Sequence, residues 1–186
     1  MTPPKCSVYI ATSLDGFIAR KDGSVGWLNV PPEISMKSDE DYGYKKFFGS
    51  VDVLVMGRNS YELVLTFGGW PYEDKKVVVL SSGHPRISEN LASQVEIMSG
   101  RPGEIVQRLA ERGAHHLYID GGKTVQDFLE AGLIDEMTIT RIPVLLGAGI
   151  PLFGPLSRDV RLRHIETNAY PNGLVQSKYQ VAGTGQ

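Results

Sequence analysis

The sequence predicts an α/β fold: a central, mostly parallel sheet with flanking helices and an antiparallel C-terminal edge. Three observations predict it. Short runs rich in Val, Ile and Leu recur along the chain and end in Gly or small polar residues. Helical patterns alternate with those runs, which implies parallel strands covered on both faces. The last two extended runs are separated only by the turn "PNG", 171 to 173, as antiparallel neighbours are.

The elements follow in order. "KCSVYIATS", 5 to 13, is β-branched and aromatic and reads as a buried first strand. "LDGFIARKDGSVGW", 14 to 27, carries two Asp-Gly pairs and reads as loop or hairpin. "SDEDYGYKKFFGS", 38 to 50, reads as a helix, with Ser38 as cap, acids in its first turn and lysines later. "VDVLVMG", 51 to 57, is a strand and "NSYELVL", 59 to 65, a short helix. "KKVVVLSS", 75 to 82, and "QVEIM", 94 to 98, are strands. "PGEIVQRLAERG", 102 to 113, is the clearest helix: Pro102 stands near its start, Ile105, Leu109 and Ala110 share a face, and Gly113 ends it. "HHLYIDGG", 115 to 122, is a strand ending in glycines, followed by a helix over 124 to 133 and a strand over 135 to 144. "LLGAGIPLFGP" is a loop, and "RLRHIETNAY" and "LVQSKYQVA" form the closing pair of strands.

Composition narrows the function. The 186 residues suit one domain across 1–186. A net charge of -2, with both signs scattered, argues against a nucleic-acid binder, which needs a concentrated basic face. Cys6 is the one cysteine, so no intrachain disulfide is possible and a cytoplasmic setting is expected. No signal pattern opens the chain, and no apolar run approaches the roughly 20 residues of a membrane span.

Several familiar motifs fail. "GGKT", 121 to 124, lacks the earlier Gly of a phosphate-binding P-loop, since Leu117 stands there. "GAGIPL" has Leu152 where a dinucleotide fingerprint needs its third Gly. His115 and His116 are adjacent on a strand and point to opposite faces, so no metal site is expected. No G-x-S-x-G elbow supports a serine hydrolase.

"MGRNS" is more informative. A buried strand delivers Gly57, Arg58, Asn59 and Ser60 to its own end. Gly allows close backbone approach, a helix start offers free N–H groups, and Arg is a fork of donors for phosphate. An ordinary capped strand-to-helix turn is the alternative. "LSS" and "IDGGKT" end two further strands in the same manner. Ligands of open α/β sheets collect at such strand ends.

The order of the pieces carries a resemblance. "YIATSLDGFIA" precedes Trp27 and an acidic helix with Asp41; then come "DVLVMGRNSYE", "VVVLSS", "LYIDGGKTVQDFL", "LIDEMTITRIPVLLGAGIPLF" and "NGLVQSKYQV". From about residue 5 to 182, this resembles the dihydrofolate reductase-like superfamily, closest to the branch with the reductase domain of riboflavin biosynthesis. The resemblance implies an NADPH site across the strand ends. It sets Ala11 at the nicotinamide carboxamide, and Gly57, Arg58, Asn59 and Ser60 along the pyrophosphate and adenosine phosphate. Ser81 and Ser82 match the adenosine-side turn. Gly121, Gly122, Lys123 and Thr124 match the glycine turn under the pyrophosphate; typical folate reductases have a third glycine where Lys123 stands.

The implied chemistry is hydride transfer from NADPH to a pteridine, pyrimidine or ribose-derived substrate. The type is a riboflavin-pathway reductase acting on 5-amino-6-(5-phosphoribosylamino)uracil. A dihydrofolate reductase and a non-catalytic nucleotide-binding module are the alternatives. Asp41 falls near the acidic position that holds the pterin in folate reductases; its other reading is a solvated first-turn acid. Asp15 is a candidate acid catalyst, or a turn residue of its Asp-Gly pair. Trp27 and Phe153 are candidates to wall a ring-shaped substrate, or else to cover a core edge and pack inward. A homodimer through the last two strands is expected, because an apolar edge is usually paired or covered.

Overall fold

The computed structural model describes residues 2–28, 40–83 and 85–182. Its first strand, β1 (Lys5–Ser13), keeps the predicted bounds and lies inside the sheet. β3 (Val53–Gly57), β4 (Lys76–Leu80) and β5 (Val95–Met98) stack outward on one side, with β6 (His116–Asp120) inserted between β3 and β1. β7 (Glu136–Ile142), β10 (Val175–Val181) and β9 (Leu162–Ala169) complete the other side. The order β5-β4-β3-β6-β1-β7-β10-β9 is parallel from β5 to β7 and antiparallel at the last two pairings.

Alternation along the inner strands explains their continuous apolar runs. Val53, Val55, Val78, Leu117 and Ile119 face one layer, packed under α3 (Pro102–Glu111) and α4 (Gly122–Glu130). Leu54, Met56, Val77, Val79 and Tyr118 face the other, under α1 (Tyr44–Ser50) and α2 (Arg58–Val64). Cys6 is a buried core residue of the first layer, and burial pushes its thiol up to about 12. The second layer is rich in aromatic rings: Tyr9 stacks on Phe47 and meets Tyr44 edge-on.

Three local expectations change. The helix drawn over 38 to 50 begins at Tyr44, because Gly43 is left-handed at φ 84 and cannot lie within it; Ser38 is outside the described residues. The segment 14 to 27 folds no hairpin of its own: β2 (Phe17–Ala19) pairs antiparallel with β8 (Ile150–Pro151), so part of the predicted loop 145 to 155 is a short strand. α2 and α4 begin at Arg58 and Gly122, slightly before the predicted starts, which places Lys123 and Thr124 in a first helical turn.

Candidate functional site

β1 pairs with β6 only through Ser7↔Tyr118, then continues beside β7 alone to Ser13. A cleft of about 1130 Å³ lies beyond that last pair, at the carboxyl ends of the parallel strands. Small-molecule sites occupy roughly 300–1,000 Å³, so this one is large. Ala11 lines it from β1, and Gly57, Arg58, Asn59 and Ser60 from the turn into α2. Ser81 and Ser82 line it after β4, and Gly121, Gly122, Lys123 and Thr124 at the start of α4. Every position that the resemblance links to the cofactor therefore borders one continuous cavity.

Two of these turns interlock. A Cβ on Gly57 would come 3.0 Å from Thr124 Oγ1. Gly121 has φ +88, a backbone state that side chains other than Gly rarely adopt, and a Cβ there would collide with Ser60 Oγ. Glycine at both positions lets the ends of β3 and β6 lie close together and leaves backbone, not side chain, toward the cleft. The first N–H groups of α4 are unpaired within the helix, as at any helix start, and the residues there, Gly122, Lys123 and Thr124, line the cleft.

The cations at this wall are lightly held. Arg58 Nε donates to Glu62 Oε1 at 2.6 Å across one helical turn, and its guanidinium lies beside Gly83. Lys123 pairs with Asp127 in the same i,i+4 manner and is largely exposed. Both belong to helix surfaces, where an ion pair opens easily to a competing anion.

The candidate acids lie elsewhere. Asp15 is engaged by the chain around it: Ser13 Oγ donates to its Oδ1 at 2.6 Å, and the backbone N–H groups of Leu146 and Gly147 donate to its two oxygens. These bonds, that of Ser13 first, hold its carboxyl below the usual carboxylate range and tie the first turn to the 145–149 loop. Asp41 accepts from Lys45 N–H at 2.9 Å and from Gly43 N–H at 3.1 Å, so it caps α1. Those N–H groups lower its carboxyl too, that of Lys45 most. Neither acid lines the cleft. Trp27 sits in the 26–28 turn, where its neighbours Val25 and Leu28 line the cleft and its own ring does not. Phe153 is 43% exposed and also stands outside the cleft lining.

The residue that sequence reasoning missed is Asp120. It ends β6, directly before the glycine turn, and lines the cleft. It shares a strand face with His116 and Tyr118, so it points into the aromatic layer. Burial pushes its carboxyl up to about 6, against the pull of the Gly121 backbone N–H. Its charge in turn raises the phenols of Tyr44, Tyr72 and Tyr118, for each of which burial is the larger cause. The available signal was an acid immediately before Gly-Gly at a buried strand end.

The sheet order, the antiparallel edge and the cleft at the strand ends define a dihydrofolate reductase-like α/β protein. The chain belongs to the RibD C-terminal domain family, whose sequence model matches residues 4–176. Bacillus subtilis YwjB, itself uncharacterized, is 37% identical over 161 residues, which cover 86% of this chain and 88% of that protein. A Shewanella sp. PV-4 protein, provisionally assigned to riboflavin biosynthesis, superposes with a TM-score of 0.89 at 40% identity, over 96% of this chain and 99% of that one. Dihydrofolate reductase from Enterococcus faecalis, in a complex with NADP(H), shares the fold, with a TM-score of 0.63 at 15% identity over 95% of this chain and 96% of that one. The family is thus a riboflavin-biosynthesis reductase-like one. Among the described residues, no helix is long and apolar enough to cross a membrane.

Proposed function

We propose that this protein is an NADPH-dependent reductase. Its substrate would be a pteridine, pyrimidine or ribose-derived compound with a reducible C=N or C=O bond, on the pattern of the riboflavin-pathway uracil reductase. One observation carries the reading: the Gly57–Ser60 and Gly121–Thr124 turns interlock at adjacent strand ends and border one cleft with Arg58. The donor set fits the cofactor. Helix-start N–H groups and backbone exposed by glycine suit a pyrophosphate, Arg58 and the Ser81–Ser82 turn suit an adenosine phosphate, and Ala11 suits the carboxamide. NADPH supplies the hydride when bound; the chain supplies binding, orientation and exclusion of water.

The test is turnover. Purified protein is mixed with NADPH and a panel of aminopyrimidine, pterin and ribosylamino-pyrimidine compounds, and loss of NADPH absorbance is followed. Oxidation that depends on one of these compounds is the expected result. NADPH binding without oxidation against any of them contradicts the reductase reading and favours a binding module.

A further inference from the structure

Asp120 has no place in the cofactor scheme above, yet its setting is unusual. It is an acid at the end of a central strand, partly open to the cleft and on the sheet face that carries the aromatic-rich layer. Tyr118 of β6, Tyr44 of α1 and Tyr72 before β4 are the phenols that its charge raises, with Tyr9 of β1 next to Tyr44. None of these phenols supplies a positive charge. Two of the hydroxyls are committed elsewhere, Tyr118 to the Tyr9 carbonyl and Tyr9 to the Tyr42 carbonyl. Among the described residues, the Gly121 backbone N–H donates to Asp120. The cations of the same cleft belong to other elements: Arg58 and Lys123 pair with Glu62 and Asp127, and Lys21 stands on the loop after β2.

Among the described residues, no cation is paired with Asp120. Asp120 lies on the same sheet face as Ala11, on the neighbouring strand. On the reductase reading, which this inference rests on, Ala11 marks the nicotinamide end of the cofactor. That ring is neutral when reduced and cationic when oxidised. We propose that Asp120 is the group by which the site distinguishes the two oxidation states: its carboxylate pairs with the oxidised ring and finds no such partner in the reduced one. A positive charge within roughly 4–6 Å lowers a carboxyl's pKa by about 1–3 units, so ring charge and Asp120 ionisation are linked in both directions.

The experiment uses NADPH and NADP+ themselves and needs no substrate. Both are titrated calorimetrically into the full chain from about pH 5 to about pH 8, and the ratio of their dissociation constants is followed. The adenosine phosphate also titrates near pH 6, but it is common to both cofactors and cancels in the ratio. The wild type is expected to shift by roughly tenfold toward NADP+ as pH rises through about 6. Asp120→Asn, or Asp120→Ser if the amide does not fold, is expected to give a flat ratio while still binding NADPH. A pH-independent ratio in the wild type, with NADPH binding intact, overturns the proposal and leaves the reductase reading standing. A shift that survives loss of the carboxyl overturns it as well. Failure of both cofactors to bind overturns the reading and the proposal together.

Discussion

Arg58 and Glu62 face each other across one turn of α2, with Nε donating to Oε1 at 2.6 Å and both side chains about half exposed. Such a helix pair contributes about 0.3–0.5 kcal/mol, whereas a charge-assisted hydrogen bond contributes about 1.5–3 kcal/mol. Glu62 therefore keeps the guanidinium at the cleft wall without competing seriously with a phosphate. Arg58→Ala is expected to weaken NADPH roughly tenfold and NADH much less, because NADH lacks the adenosine 2′-phosphate. Glu62→Gln should leave NADPH affinity equal or tighter. Calorimetry on the variants checks this, and equal weakening of both cofactors would move Arg58 to the pyrophosphate.

Asp41 is expected to behave as a cap. Its folded carboxyl is lowered by the Lys45 and Gly43 N–H groups, so the stability it lends is present above the unfolded value and is lost as pH falls through the folded one. Asp41→Ala should lower the melting temperature at neutral pH and bring little further change in acid. NADPH affinity should not move. A large loss of substrate capture, with an unchanged melting temperature, would return Asp41 to the substrate site.

Asp120 has the opposite sign. Its folded carboxyl lies near 6, against about 3.9 in an unfolded chain. Folding is therefore undisturbed by Asp120 below the unfolded value, and stability is lost as pH rises through the folded one. Asp120→Asn should stabilise the protein by up to about 3 kcal/mol at neutral pH and by only about 0.5 kcal/mol near pH 4. Denaturant melts at the two pH values measure the difference. Equal effects at both would mean that packing, not charge, governs the position.

The sheet's outer strand, β9, is exposed at every position, and Leu162 and Ile165 stand on it with about two-fifths of their surface open, at 41% and 42%. Exposed edges of this length are usually paired or covered. A homodimer through β9 and β10 is the expected solution state. Sedimentation should give twice the chain mass at micromolar concentration, and Ile165→Arg should lower it. A wild-type monomer would contradict the expectation.

The parts legible in the sequence were those set by local pattern. Apolar runs such as "VLVMG" and "KVVVL" are continuous because both faces are buried, and the Gly57 and Gly121 turns announce close approach by composition alone. The acids were harder, because an Asp beside Gly reads alike in a turn, a cap or a site. Asp41 took a local role, accepting from backbone within four residues, whereas Asp15 tied its turn to backbone at Leu146 and Gly147, far along the chain. Asp120 drew its character from burial, on the sheet face that also carries the layer of Tyr44 and Tyr72; those side chains arrive from distant segments and leave no trace beside "YIDGG". The β2–β8 pairing was equally non-local, joining residues more than a hundred positions apart.

The most direct measurement is a titration of the wild-type chain with NADPH and with NADH at low salt, where partly exposed charge pairs are least screened. Both should bind one site per chain, NADPH the tighter by roughly tenfold or more. Equal affinity would remove the phosphate assignment of Arg58, and no binding of either would contradict a nicotinamide-cofactor site in this cleft.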